Sequence, residues 1–545
     1  MTRVRFVSFS FLIFIFASST LFGQSSAIFS AAITYNYPVT RIAVADVNGD
    51  GKPDVLVVNP CGASSNCTAG DGTSGSAGVL LGNGDGTFQA EVAYGSGGSV
   101  PLSVAVGDVN GDGKPDLLVA NECASSSCAN GVVAVLLGNG DGTFQTATAY
   151  SSGGTGASTI AVSDLRGDGK LDVVVTNYGC TQSICPGSVA VLLGNGDGTF
   201  QTAVSYGSGG YIAESMAVAD VNGDGKPDLL VANDCQSINS CDPSNPGLDG
   251  PGSVGVLLGN GDGTFQTAIA YSSGGSFAVS VAVADVNGDR KPDLLVTNQC
   301  ALSCTVNGVR NGEGFVDVLL GNGDGTFQTA VSHDSGGLDA SSVTVADVNG
   351  DGKPDLVVGN QCALGSGCVN VGGVGVLLGN GDGTFQAAVE YNTDGNGISS
   401  SVVVADVTGN GKPDLLVADD AVAVLLNISQ YFHVTISGSP QQPLTKNSSG
   451  DFVALVTITN TGNVTITSAQ VTIAGTTLGS ASLLAAPPPI KNLAPGASAV
   501  VTLTFPDPAA LSKATTAPLK VSGTYAVPAV PLSGNWALSF RSVTL

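Results

Sequence analysis

The chain has 545 residues, with 18 Lys and Arg against 43 Asp and Glu for a formal net charge of −25; only 11% of residues are charged, 43% are hydrophobic and 77 are Gly. So acidic a chain is unsuited to nucleic acid or an anionic membrane surface, because both are polyanions. Low charge with many Val, Leu and Ala excludes disorder, and a Gly excess without a three-residue period excludes collagen. Two His and one Trp leave little material for His-based catalysis.

In chain order, Arg3 and Arg5 come first, then an apolar run from Phe6 to Phe16, then small and polar residues through Ala27. That order matches a signal peptide. The 11 apolar residues are too few to span about 30 Å of hydrocarbon at 1.5 Å per residue. Residues 1–27 are therefore expected to be cleaved, giving a secreted or cell-surface protein without a membrane span.

Residues 28–428 are repetitive. Asp46-Val-Asn-Gly-Asp-Gly-Lys-Pro-Asp54 recurs with its first Asp at 108, 164, 220, 285, 347 and 406, at intervals of 56 to 65 residues. A second element, Leu-Leu-Gly-Asn-Gly-Asp-Gly-Thr-Phe, ends at Phe88, Phe144, Phe200, Phe265, Phe327 and Phe385. Each unit reads as four short strands: Ser215–Ala219, Leu229–Ala232, Val254–Leu258 and Phe265–Tyr271 in the fourth. The Asn-Gly and Asp-Gly pairs of Gly259–Gly263 mark a hairpin. Four strands per 60 residues in tandem is the arithmetic of an all-β, seven-bladed β-propeller. The seventh unit stops at Leu426 without a fourth strand, while Phe29–Tyr35 matches the fourth-strand pattern without a unit. The N-terminal strand is thus expected to complete the last blade and remove both open edges.

The Asp-x-Asn-x-Asp-Gly-x-x-Asp loop with the Gly-Asp-Gly-Thr-Phe turn resembles FG-GAP/VCBS-type repeats, the blades of integrin-α-like propellers, over residues 29–427. The resemblance implies Ca²⁺ in the Asp-rich loops and a role in adhesion or ligand recognition. Some relatives bind or cleave carbohydrate.

Ca²⁺ takes six to eight oxygens at 2.3–2.6 Å, which a short loop offers from alternate residues. Asp46, Asn48, Asp50 and Asp54 offer side-chain oxygens and Lys52 a backbone carbonyl. The same roles fall to Asp108, Asn110, Asp112, Lys114 and Asp116, and to Asp220, Asn222, Asp224, Lys226 and Asp228. The fifth and sixth loops supply Asp285, Asn287, Asp289, Lys291 and Asp293, then Asp347, Asn349, Asp351, Lys353 and Asp355. In the third, Asp164, Asp168, Lys170 and Asp172 remain, but Arg166 replaces Asn and Leu171 replaces Pro. In the fifth, Arg290 replaces a turn Gly, and the seventh keeps Asp406, Asn410, Lys412 and Asp414 with Thr408 in the Asn seat. Six or seven Ca²⁺ sites are expected, with the third and seventh weak. Arg166-Gly167-Asp168 spells an adhesion tripeptide, but its Asp sits in a ligand slot.

Twelve Cys form six close pairs, Cys61/Cys67, Cys123/Cys128, Cys180/Cys185, Cys235/Cys241, Cys300/Cys304 and Cys362/Cys368, each between second and third strands. Local pairing after a signal peptide reads as disulfides; zinc is excluded, since two Cys per blade without His cannot complete its shell. Strand alternation puts the Asp-rich loops and Gly-Asp-Gly turns on one face. The Cys-bearing loops and Gly/Ser linkers such as Gly207–Tyr211 fall on the other, which is the expected recognition face.

Residues 429–545 lose the repeat. Strand-like runs at Phe432–Ser437, Phe452–Asn460, Val464–Ala474, Ala499–Phe505, Leu519–Ala526 and Trp536–Val543 suggest a β-sandwich resembling bacterial immunoglobulin-like modules, with Trp536 in its core. With His333 and His433 isolated and most carboxylates assigned to metal, the sequence favours a non-enzymatic, monomeric binder of an extracellular protein or glycan. The competing reading is a polysaccharide lyase or glycoside hydrolase on the same scaffold.

Overall fold

The computed structural model describes residues 28–544 apart from 38, 61–74, 125–129, 180–184, 238–249, 301–304, 307–308, 311, 364–371, 394–400, 429–435, 441–442, 461–471, 474–476, 479–480, 486, 489, 491–496, 508–515 and 528–531. The expected leader, His433 and seven of the twelve Cys (Cys61, Cys67, Cys128, Cys180, Cys241, Cys304 and Cys368) lie outside the described residues. Backbone contacts separate Phe29–Ile428 from a unit that holds Ser429–Leu545.

Among the described residues of Phe29–Ile428, the regular elements are antiparallel strands. In the first repeat, Arg41–Ala45, Asp54–Asn59, Ser76–Leu80 and Val92–Gly95 pair in that order. The seventh repeat pairs Ser401–Ala405, Asp414–Ala418 and Val422–Leu425, and its fourth strand is Ile33–Tyr35, with Ile33 opposite Val424 and Tyr35 opposite Val422. A bridge between Phe29 and Asn427 extends that pairing.

Side chains of successive strand residues point to opposite faces, so the fully buried second strands show how the repeats stack. Val55 and Val57 pack with Leu416, Ala418, Val422 and Val424 of the seventh repeat. Leu56 and Val58 pack the other way, with Leu117 and Val119 of the second. Each fully buried Leu or Val contributes about 1.5–3 kcal/mol, which is why these strands are unbroken Leu/Val runs.

One element departs from the sequence reading. The Gly/Ser linker Gly207–Tyr211 is no loop: it runs inside one strand, Val204–Ala219, serving two repeats, as do Ile269–Ala284 and Val331–Ala346. A buried polar ladder holds it extended. The Ser208 hydroxyl donates to Asn233 Oδ1 at 2.5 Å, and Asn233 Nδ2 donates back to the Ser208 carbonyl at 3.3 Å. Ser273–Asn298 and Ser335–Asn360 repeat the exchange in the other two continuous strands, and Ser152–Asn177 makes it where Thr148–Ser151 and Ala157–Ser163 remain separate strands. Gly210 is required because a Cβ there would lie 2.6 Å from the Asn233 side chain. A register shift follows, with Ile212 at φ 56°, Phe277 at 58° and Val100 at 55°, which is a bulge forced on residues that ordinarily avoid positive φ.

A T-shaped aromatic pair joins each repeat to the next. Tyr35–Phe88, Tyr94–Phe144, Tyr150–Phe200, Tyr206–Phe265 and Tyr271–Phe327 have ring centroids 5.6–5.7 Å apart. His333 takes the Tyr seat against Phe385, and Phe29 takes the turn-Phe seat against Tyr391, both at 5.4 Å.

Among the described residues, the C-terminal unit forms two antiparallel sheets. Phe452–Asn460 pairs with Ile436–Pro440, Thr445–Lys446 and Ser498–Phe505; Thr516–Val527 pairs with Leu532–Thr544 and with the short Thr472–Ile473 and Thr477–Leu478. Phe452, Ala454, Val456 and Ile458 alternate into its core with Leu503 and Phe505. The side chain of Trp536 lies outside the described residues.

Candidate functional site

The Asp-rich loops join first to second strands, and their backbone is held by their own carboxylates. In the first, Asp46 Oδ1 accepts the N–H groups of Gly49 (2.7 Å) and Asp50 (3.2 Å), and Oδ2 that of Gly51 (2.8 Å). Asn48 Oδ1 accepts Asp50 N–H at 2.8 Å, and Asp50 Oδ1 accepts Lys52 N–H at 2.9 Å. Gly49 and Gly51 sit at φ 74° and 81° with open space around them, so the backbone turn, not packing, demands Gly. Asp108/Asn110/Asp112, Asp220/Asn222/Asp224, Asp285/Asn287/Asp289 and Asp347/Asn349/Asp351 repeat the pattern, with Lys114, Lys226, Lys291 and Lys353 donating through their N–H. Arg290 occupies a turn-Gly seat at φ 66° and still donates its N–H to Asp285 Oδ2 at 2.7 Å. Its left-handed backbone costs about 1 kcal/mol or more. The Lys52, Lys114 and Lys226 ammonium groups stand 3.6 Å from Asp50, Asp112 and Asp224, and Lys291 3.9 Å from Asp289. These exposed pairs contribute little.

The closing Asp of each loop has a role the sequence reading missed. Asp54 is fully buried; its Oδ2 accepts Val47 N–H at 2.9 Å and its Oδ1 accepts Gly82 N–H at 2.8 Å. It therefore pins the loop to the third-to-fourth-strand hairpin, and both stand at the same end of the sheet. Asp116, Asp172, Asp228, Asp293 and Asp355 do the same with Gly138, Gly194, Gly259, Gly321 and Gly379, and Asp414 with Asn427. The signal lay in the fixed Leu-Leu-Gly that follows every closing Asp but the last. Burial, then the neighbouring Asp carboxylates, pushes Asp54, Asp116, Asp228 and Asp293 up from the ordinary range despite these hydrogen bonds, and Asp355 up to about 7. The hairpin acids are self-contained instead: Asp85 Oδ1 accepts the Thr87 hydroxyl (2.6 Å) and N–H (3.0 Å), which lowers its pKa.

Two loops differ, as their sequences do. In the third, Arg166 Nη1 lies 3.1 Å from Asp168 Oδ2 and Nη2 donates to Asp172 Oδ1 at 2.8 Å, so the Arg and Asp of the tripeptide face each other. Asp164 keeps its turn bonds from Asp168 and Gly169, and Lys170 N–H donates to Asp168. In the seventh, Asp406 accepts Asn410 and Gly411 N–H, Lys412 N–H donates to Asn410 Oδ1, and the Thr408 hydroxyl bridges Asp406 (3.2 Å) and Asp414 (3.4 Å).

The donor set is all oxygen, which suits Ca²⁺, and the third loop shows that a cation fits between its fifth and ninth positions. Among the described residues, no three carboxylate, imidazole or thiolate side chains converge as a ready-made cage, because each carboxylate leans on backbone N–H groups. The residues thus fit the ion by donor chemistry, using the lone pairs their N–H partners leave free.

A second cluster was not legible. Glu214, on the first strand of the fourth repeat, interacts electrostatically with Arg41 of the first repeat and accepts a hydrogen bond from Tyr178 of the third. Glu214 is partly buried, and burial raises its carboxyl to about 7 against the opposing pull of Arg41 and Tyr178. Ser158 and Thr159 donate their hydroxyls to the Glu214 carbonyl at 2.9 and 2.7 Å. Glu214 breaks no pattern that one sequence reveals, since other repeats hold Thr40, Leu102, Ser158, Val279 and Ser341 at its position.

Cys123, Cys185, Cys235, Cys300 and Cys362 are disulfide-bonded. The residues expected opposite them, Cys128, Cys180, Cys241, Cys304 and Cys368, lie outside the described residues. His333 is a rung of the aromatic ladder, with its pKa lowered by burial.

The FG-GAP-like repeat family matches residues 65–119, 122–175, 181–231, 247–296, 306–358 and 366–417, and the FG-GAP repeat family matches 39–78. The C-terminal unit has no family match of its own. No curated protein matches the chain closely enough to count as a relative.

Proposed function

Because the chain belongs to the FG-GAP repeat family, whose members are typically ligand-binding propellers that commonly hold Ca²⁺, we propose that residues 29–428 form a closed seven-bladed β-propeller, secreted and Ca²⁺-stabilised, that binds an extracellular protein or glycan. The observation that carries this reading is the unbroken aromatic cycle. Seven pairs link seven repeats, and Phe29 and Tyr35 of the N-terminal segment fill the two seats the repeats leave empty. Hairpin-to-loop bonds support it: Gly198 N–H reaches the Val109 carbonyl of the preceding repeat, Gly383 reaches Val286, and Gly86 of the first repeat reaches Val407 of the seventh, all at 3.1 Å. A ring so tied is a rigid frame, and recognition then falls to the loops between second and third strands. The C-terminal unit serves as an immunoglobulin-like spacer.

The Arg41–Tyr178–Glu214 cluster favours one competing reading, a carbohydrate-cleaving enzyme, since such chemistry needs an acid or base poised near neutral pH. A panel of glycans and matrix proteins, probed with the secreted protein in Ca²⁺ and in EDTA, separates the two. The proposal expects saturable, Ca²⁺-dependent binding without new reducing ends or unsaturated products. Turnover that Glu214→Gln abolishes would replace it with the enzyme.

A further inference from the structure

Five of the seven loops carry Asn at their third position; the third repeat carries Arg166. Its guanidinium lies across the loop. Nη2 donates to Asp172 Oδ1 at 2.8 Å and to the Gly194 carbonyl at 2.7 Å, Nε donates to Asp172 Oδ2 at 3.3 Å, and Nη1 stands 3.1 Å from Asp168 Oδ2. One planar cation thus touches the carboxylates at the fifth and ninth positions together with the hairpin that Asp172 anchors. The side chain is only 18% exposed, and the fork matches Asp172 in the two-pronged manner that Arg allows and Lys does not. Asp172 meanwhile keeps its backbone duties, accepting Leu165 N–H at 3.2 Å and Gly194 N–H at 2.8 Å. The charge balance agrees: Asp164, Asp168 and Asp172 with Arg166 and Lys170 leave −1, whereas Asp46, Asp50 and Asp54 with Lys52 leave −2.

We propose that Arg166 is a built-in substitute for the divalent cation in the third repeat, so that this loop binds no Ca²⁺ and keeps its shape without it. The substitution follows from position. A Ca²⁺ placed to use Asp168 and Asp172 would meet the guanidinium already holding them, and would lose the side-chain oxygen that Asn supplies elsewhere. The ring then contains one repeat whose loop order does not depend on the metal supply, and that repeat keeps an extra tie from Arg166 to the Gly194 carbonyl of its hairpin when the others release their ions.

The inference rests on the calcium reading of the other loops, and its test separates the two. Bound Ca²⁺ is counted by native mass spectrometry on the full secreted chain and on Arg166→Asn, which rebuilds the complete ligand set. The variant is expected to carry one more Ca²⁺ than the parent. A folded variant with an unchanged count overturns the proposal, as does a parent that fills all seven loops. Absence of Ca²⁺ from both proteins defeats the calcium reading and the inference together, a different result from equal, non-zero counts. Should Arg166→Asn fail to fold, Asn222→Arg provides the converse, with one Ca²⁺ fewer than the parent expected and an unchanged count contradicting the idea. Hydrogen exchange supplies a readout independent of the count. On adding EDTA, the amides of 220–228 should lose protection while those of 164–172 keep theirs, and equal loss in both segments overturns the proposal.

Discussion

Asp228 allows the structural role of a closing carboxylate to be separated from its metal role. Its side chain is fully buried, with Oδ2 accepting Val221 N–H at 2.9 Å and Oδ1 accepting Gly259 N–H at 2.7 Å. Asp228→Ala strands both N–H groups away from water. Each unsatisfied buried donor costs about 1–3 kcal/mol, so the loss should reach about 2–6 kcal/mol. Asp228→Asn keeps the shape and one acceptor, so one N–H faces an amide NH₂ and about 1–3 kcal/mol is lost. Urea denaturation in EDTA is the assay, because no Ca²⁺ then contributes in either protein. The control is Asp224→Ala. Asp224 is exposed and caps only its own turn through Lys226 N–H, so it should cost under about 1 kcal/mol in EDTA. In Ca²⁺ it should weaken its site at least tenfold, about 1.4 kcal/mol. If Asp228→Ala unfolds in EDTA within about 0.5 kcal/mol of the parent, the pin between loop and hairpin is not a stabilising contact.

Glu214 gives a pH prediction. Its carboxyl is raised to about 7 by burial, opposed by Arg41 and Tyr178, so the native state holds a proton the unfolded chain releases; stability from this group is full below the ordinary carboxylate range and is lost as pH rises through about 7. Glu214→Gln should flatten the fall in melting temperature between pH 5 and about 7.5, and an unchanged slope would refute the assignment. Calcium should raise the melting temperature of the repeat unit, since each site filled at 100 times its dissociation constant adds about 2.7 kcal/mol. Identical melting after verified metal removal would refute this. Peptide mapping without reduction should join Cys123 to Cys128 and Cys300 to Cys304, and a bridge between repeats would contradict local pairing.

Period and orphan segments were legible because they are written many times over. Seven Asp-rich loops, six hairpins and one unmatched Phe29–Tyr35 sufficed to place the N-terminal strand beside Val422–Leu425. The double duty of Asp54 was hidden, since a carboxylate at a ligand position reads the same whether it faces a cation or two N–H groups. The Gly/Ser linkers misled in a different way. Gly and Ser signal a loop locally, yet at three junctions they let two repeats share one strand, as where Ser208 reaches Asn233 across a gap that Gly210 leaves open. Arg41, Tyr178 and Glu214 come from three repeats and meet only in the fold, so no window of sequence contains them.

Removing Ile28–Tyr35 and following melting and sedimentation of the purified protein decides whether the seven repeats make one closed ring. The deletion takes away the strand opposite Val422–Val424, the ring of Phe29 against Tyr391 and that of Tyr35 against Phe88. Loss of one buried Phe alone costs about 3–5 kcal/mol, and the bared strand edge invites pairing with a second chain. A closed ring gives an earlier transition of the whole repeat unit together with self-association; a variant that melts and sediments like the parent means that the ring is not closed by this strand.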